Sequence, residues 1–215
     1  MNICIIGGGQ NFGKVISDKF RNDGHSVYVL SHTEHENMDD NHRSCNFSNP
    51  LKVVDTFKEL ISNVDTIDVL LYNTNGNSGP SEEISFTSNC PDYVYQIKNW
   101  NYSLNTGVII PHLLSVECLK KMNESSKIVF MTTYMARHFD RDSFKNLASY
   151  AGMKAVQNHL MIALAEYNDK KATIFSIEPY LPRHDVEVFD KNVGRIYSEL
   201  ISMNREHSGK LISIF

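Results

Sequence analysis

The stretch Asn2-Ile3-Cys4-Ile5-Ile6-Gly7-Gly8-Gly9-Gln10-Asn11-Phe12-Gly13 decides the architecture. Ile3 to Ile6 is an unbroken apolar run, the pattern of a strand covered on both faces. Three glycines follow it. Behind them a helical pattern runs from about Phe12 to Asn22, with Phe12, Val15, Ile16 and Phe20 on one face. A tight strand-to-helix turn needs positive φ angles and close backbone approach, and glycine supplies both. Asn11 fits the same turn, because asparagine is one of the few other residues that tolerates a left-handed conformation. The start of such a helix presents unpaired N–H groups and a positive dipole end, which suit a pyrophosphate. Gly7, Gly9, Asn11, Phe12 and Gly13 are therefore candidate nucleotide contacts.

Working outward, short apolar runs alternate with amphipathic segments. Val27–Leu30 reads as a second strand and Arg43–Cys45 as a weak third. Pro50 opens a helix to about Asn63, and Ile67–Tyr72 is a buried strand. Asn75–Asp92 is polar and reads as a loop. A long helix is expected over Trp100–Met122, kinked at Pro111. Lys127–Met131 is a strand, Arg137–Lys145 a polar segment, and Ser149–Tyr167 the best-patterned helix. Thr173–Ile177, a helix at Lys191–Met203 and a strand at Leu211–Ile214 close the chain. About seven strands with crossover helices predict an α/β fold: a Rossmann-type, doubly wound parallel sheet with helices on both faces. The 215 residues suit one domain, 1–215.

Composition sets bounds on function. A net charge of −4 gives no basic footprint, so no nucleic-acid partner is expected. No apolar run approaches the roughly 20 residues of a membrane span, so no membrane association is expected. Cys4, Cys45, Cys90 and Cys118 form no CxxC and read as reduced thiols of a cytoplasmic protein. His32, His35 and His42 read as solvated loop histidines, and no metal site is expected.

Chemistry enters with Tyr150-Ala151-Gly152-Met153-Lys154. Residues four apart share a helical face, so the phenol and the ammonium can address one site. A nearby cation favours phenolate and lowers the tyrosine pKa. The phenol can then pass a proton to a carbonyl oxygen, or take one back from an alcohol.

Tyr150 and Lys154 lie about 140 residues after the glycine turn, just behind an apolar strand. That combination resembles the short-chain dehydrogenase/reductase family over nearly the whole chain, in a divergent form with a short C-terminal substrate region. Gly7 and Gly13 match the first and last glycines of the family's TGxxxGxG turn. Ile6 replaces its threonine and Asn11 its middle glycine. The resemblance implies NADP or NAD as cofactor, with Tyr150 as acid/base and Lys154 as its partner and ribose ligand. It places Thr133 where the family has a carbonyl-orienting serine, a few residues further from the tyrosine than usual. It makes Asn105, or Asn101 in another helical register, the relay asparagine.

Tyr72-Asn73-Thr74-Asn75 is a degraded NNAG turn, with Asn73 a cofactor contact. Pro179-Tyr180 stands for the family's PG. Ser31 fills the position where an acidic residue would bind the ribose hydroxyls of NAD. His32 follows it, and Asn46 stands where the family often has an adenine-contacting Asp. The missing carboxylate tilts the expectation to NADP.

Two classes of function follow. The first is a carbonyl–alcohol oxidoreductase acting on a small molecule. The second is a nucleotide-binding regulatory or scaffolding protein on the same fold; an epimerase or dehydratase is a third reading. Leu181–Asp190 is too short to enclose much ligand, so specificity is expected from Asn75–Asp92, Arg137–Lys145 or a partner subunit. Leu113, Leu114, Val156, Leu160, Met161 and Ile162 spread apolar surface around two helices, which predicts a homodimer or homotetramer.

Overall fold

Both faces of the first strand are buried, as its apolar run requires. In the computed structural model, β1 (Asn2–Ile6) lies between β2 (Ser26–Ser31) and β4 (Val69–Tyr72). Ile3 and Ile5 join one hydrophobic cluster, Cys4 and Ile6 the other. The structure describes residues 1–32, 34, 40–74, 93–137, 148–169, 171–180 and 185–214, with the backbone alone at 93–96.

The sheet continues through β3 (His42–Ser44), β5 (Lys127–Met131), β6 (Thr173–Pro179) and β7 (Leu211–Ile214). Its order is β3-β2-β1-β4-β5-β6-β7, and every neighbouring pair is parallel. The chain builds outward from β1 to β3, then returns across β1 to β4. The strand order therefore reverses at the carboxyl ends of β1 and β4, the position at which open α/β sheets bind ligands.

On one face α1 (Asn11–Asn22) and α6 (Val186–Ser202) supply Phe12, Ile16, Phe20, Val193, Ile196 and Leu200 to the core. On the other lie α2 (Pro50–Leu60), α4 (Ile110–Leu119) and α5 (Ala148–Tyr167). Asn49 caps α2 through its side chain, and Pro50 takes the first-turn position that costs no hydrogen bond.

Three expectations change. The long helix at Trp100–Met122 is α3 (Tyr93–Leu104), a five-residue π turn (Asn105–Ile109) and then α4. Pro111 sits in the first turn of α4, so the break falls at the π turn before it and not at the proline. His42 is no solvated loop histidine: it opens β3 and is buried. The last helix starts at Val186 because Asp185 caps it, accepting from Val188 N at 3.0 Å.

Cys4, Cys45 and Cys118 are buried free thiols. Cys90, His35 and the expected specificity segments Asn75–Asp92 and 138–145 lie outside the described residues. Among those residues no helix is long and apolar enough to cross a membrane, and no cluster of His, Cys, Asp or Glu could hold a metal ion.

Candidate active site

Gly7 turns the chain out of β1 with φ +86°, and a Cβ there would lie 2.8 Å from the Asn73 carbonyl oxygen. Gly13, in the first turn of α1, is packed more tightly still. A Cβ on it would overlap the Gly7 carbonyl oxygen and lie 2.6 Å from Asn73 Nδ2. Asn73 follows β4 directly; its Nδ2 donates to Gly7 O at 3.0 Å and its N–H to Ile6 O at 2.8 Å. These contacts lace the end of β4 to the glycine turn.

Asn11 takes φ +49°, the left-handed conformation its residue type permits. The N-cap, Gln10, makes no side-chain cap bond, and no acidic residue stands in the first turn of α1. Tightly packed glycines beside a helix start with no side-chain cap and no acidic residue fit a diphosphate held by backbone N–H groups. Phe12 can offer only its N–H, because its ring is buried in the core.

At the end of β2 Ser31 is buried, and its Oγ hydrogen-bonds His42 Nε2 at 2.8 Å. His32 is exposed, edge-on to both Phe47 and Tyr102, and its Nδ1 accepts from Phe47 N at 3.4 Å. Asn46 accepts from Ser48 N, shaping the loop before α2. No carboxylate stands at Ser31 or His32, as the sequence requires.

Tyr150 lies in the first turn of α5, with Lys154 one turn on and its Nζ 5.9 Å from the phenol ring centre. Lys154 is buried. Its ammonium donates to Met131 O at 2.6 Å, Thr74 O at 3.0 Å and Gln157 Oε1 at 3.1 Å. Burial lowers Lys154 to about 7 and pushes Tyr150 up to about 12. The expected lowering of Tyr150 is therefore absent: loss of water outweighs a cation whose protons are committed to other acceptors.

Thr133 caps the short 3₁₀ turn Tyr134–Ala136, accepting from Met135 N at 3.4 Å, which leaves its O–H to donate. Neither relay candidate reaches Lys154. Asn105 donates instead to Ser48 O at 3.3 Å, toward the loop before α2, and Asn101 is exposed on α3. The residue that does reach it, Gln157, is fully buried and sits one turn beyond Lys154. Its polarity one turn after Lys154, among the apolar residues that α5 buries, was the available signal. Gly152, between Tyr150 and Lys154, brings the helices close: a Cβ there would come within 2.8 Å of the Trp100 ring.

Pro179 ends β6 opposite Ile214. Tyr180 carries its carbonyl to Asn192 Nδ2 at 2.7 Å. Glu178, buried beside them, pairs with Arg137 Nη2 at 2.6 Å and ties the turn after β5 to β6.

Residues 1–188 match the family described as short chain dehydrogenase. The chain belongs to that family. Its fold is shared with a Brucella ovis short-chain dehydrogenase/reductase solved in complex with a partially ordered NAD. That protein is 16% identical, the match covers 100% of this chain and 99% of that one, and the TM-score is 0.76. A Serratia marcescens short-chain dehydrogenase/reductase matches at 16% identity over 99% and 94% of the two chains, TM-score 0.72. A short chain dehydrogenase from Salmonella enterica matches at 15% identity over 99% and 94%, TM-score 0.73. At these identities the likeness is one of fold. No curated protein matches the sequence significantly.

As a short-chain dehydrogenase, the chain is an oxidoreductase-family protein on a nucleotide-binding Rossmann-type fold. Asn75, the last residue of its degraded NNAG turn, and residues 181–184 of its short C-terminal region lie outside the described residues.

Proposed function

We propose that the protein interconverts a carbonyl and an alcohol on a small molecule, using NADP(H). The observation that carries this reading is Tyr150 and Lys154 on one face of α5, with the lysine at the ends of β4, which borders the glycine turn, and β5, the next strand out. When bound, the nicotinamide supplies or accepts the hydride. The chain's own residues handle binding and the proton. Backbone N–H groups at the start of α1 hold the diphosphate. Gly7, Gly13 and Asn73 keep that turn in shape. Thr133 O–H donates to the substrate oxygen and orients it. Tyr150 gives its phenolic proton to that oxygen in reduction and recovers it in oxidation. Lys154 is the cation next to the phenol, and a ribose hydroxyl would take the place of one of its three present acceptors. Pro179 walls the site from the β6 side.

The preference for NADP(H) rests on the missing carboxylate at Ser31 and His32. Fluorescence titration should give tighter binding of NADPH than of NADH, by about tenfold or more, the equivalent of one added charge-assisted contact. Tighter binding of NADH overturns that preference. An absorbance screen at 340 nm against a carbonyl panel then tests turnover. If NADPH binds and nothing is reduced, the nucleotide-binding regulatory reading takes over.

The working form we propose is a homodimer or homotetramer. Ile97, Trp100, Ile109, Val116, Val156 and Ile162 are large apolar side chains left exposed on α3, the π turn, α4 and α5. Light scattering at micromolar concentration should return a multiple of 24.5 kDa; a monomer mass rules the proposal out.

A further inference from the structure

Gln157 is fully buried, and both ends of its amide are used. Nε2 donates to Gly107 O at 2.8 Å, and Oε1 accepts from Lys154 Nζ at 3.1 Å. The orientation has one solution. A carbonyl can only accept and an ammonium can only donate, so a flipped amide would set oxygen against oxygen and N–H against N–H. Gly107 lies in the π turn, and a Cβ on it would overlap the Met153 thioether. The widened turn therefore brings its carbonyl to α5 at close range, a use that π turns often serve at functional sites.

An ammonium has three protons, and here each has an acceptor: Thr74 O, Met131 O and Gln157 Oε1. Two are backbone carbonyls that no substitution removes. Among the described residues Gln157 is the one side-chain acceptor. Among the described residues Tyr150 is the titratable group facing Lys154 from α5. The ends of β4 and β5 and the π turn present neutral oxygens, and no charged partner perturbs the lysine.

We propose that Gln157 is a positioning residue for the Tyr150–Lys154 pair, a bridge from the π turn that completes the ammonium's shell and holds it in place. The inference rests on the oxidoreductase reading above for its catalytic meaning. A hydrogen bond to a buried cation favours the protonated form. Losing it pulls Lys154 toward the neutral amine, and a carboxylate in its place pushes the other way.

Two substitutions separate this role from packing. Gln157→Met keeps the length and removes both polar atoms. Gln157→Glu keeps an acceptor and adds a charge. The first readout needs neither nucleotide nor substrate: the carbon-13 Cε resonance of labelled lysine followed against pH, assigned by its loss in Lys154→Met. Gln157→Met should lower the Lys154 midpoint by about one pH unit, and Gln157→Glu should raise it by at least that. In turnover the alkaline limb of kcat/KM should move the same two ways. A midpoint that stays put in both variants, or moves the same way in both, overturns the proposal, as does a limb that ignores the midpoint. If the wild-type protein binds no nucleotide and reduces nothing, the oxidoreductase reading falls, and the Cε titration still decides whether Gln157 holds Lys154.

Discussion

Tyr150→Phe should cut turnover by about 10²–10⁴-fold, the range general acid–base groups contribute, and leave the nucleotide Kd nearly unchanged. The substitution removes one oxygen and keeps the ring, so the packing of α5 beside the π turn survives. The diphosphate turn and Lys154 are untouched. The check is steady-state turnover on one accepted carbonyl, beside a fluorescence titration with NADPH. Wild-type activity in the variant would sink the assignment of Tyr150.

The direction of the pH dependence follows from burial. Tyr150 is pushed up to about 12. Its acid form therefore persists through neutral pH, so a fall of reduction there should follow loss of the charge on Lys154, which burial lowers to about 7, and not the phenol. Alcohol oxidation needs the phenolate and should rise by about tenfold per pH unit below that value. Lys154→Ala should damage turnover and binding together, because it leaves Thr74 O, Met131 O and Gln157 Oε1 without their donor.

Gly13→Ala should abolish nucleotide binding and lower Tm. The new Cβ meets the Gly7 carbonyl oxygen and the Gly8 Cα, both backbone, and Asn73 Nδ2, which is already bonded. No flexible side chain can yield, so α1 must back away from the turn that would hold the diphosphate. Overpacking of this kind costs about 1–3 kcal/mol or more. Gly194→Ala is the matched control. That glycine lies inside α6 with nothing near its missing Cβ, so alanine there should gain about 0.5–1 kcal/mol. Thermal melts of the two variants, with and without NADPH, make the comparison. An unaffected Gly13→Ala would mean that the turn does not hold the phosphate.

Much of the sheet was legible because buried strands announce themselves as apolar runs. Asn2–Ile6, Lys127–Met131 and Leu211–Ile214 are strands over the expected residues. The left-handed Asn11 and the closeness of Gly7 and Gly13 were also readable, since residue type limits backbone geometry. The direct contact of Gln157 with Lys154 was not. A helix turns by about 100° per residue, and a π turn adds a residue within one turn. Everything beyond Asn105 is rotated against an α-helical count, so spacing could not tell which side chain faces α5. His42 was misread for a different reason: its partner Ser31 lies on a neighbouring strand, and a cross-strand bond leaves no mark in local periodicity.

Trp100 gives the protein a built-in optical probe. It is the single tryptophan of the chain, 41% exposed, and its ring rests on Gly152 between Tyr150 and Lys154. Indole emission shifts to the blue as water leaves the ring. A second subunit laid over α3 and α5 would dry that surface, and a ligand that moves the start of α5 would disturb the same contact from below. Dilution and nucleotide addition thus become two separable spectral events in unlabelled protein, one second order in protein and the other saturable. Subunit exchange and site occupancy can be followed in one cuvette.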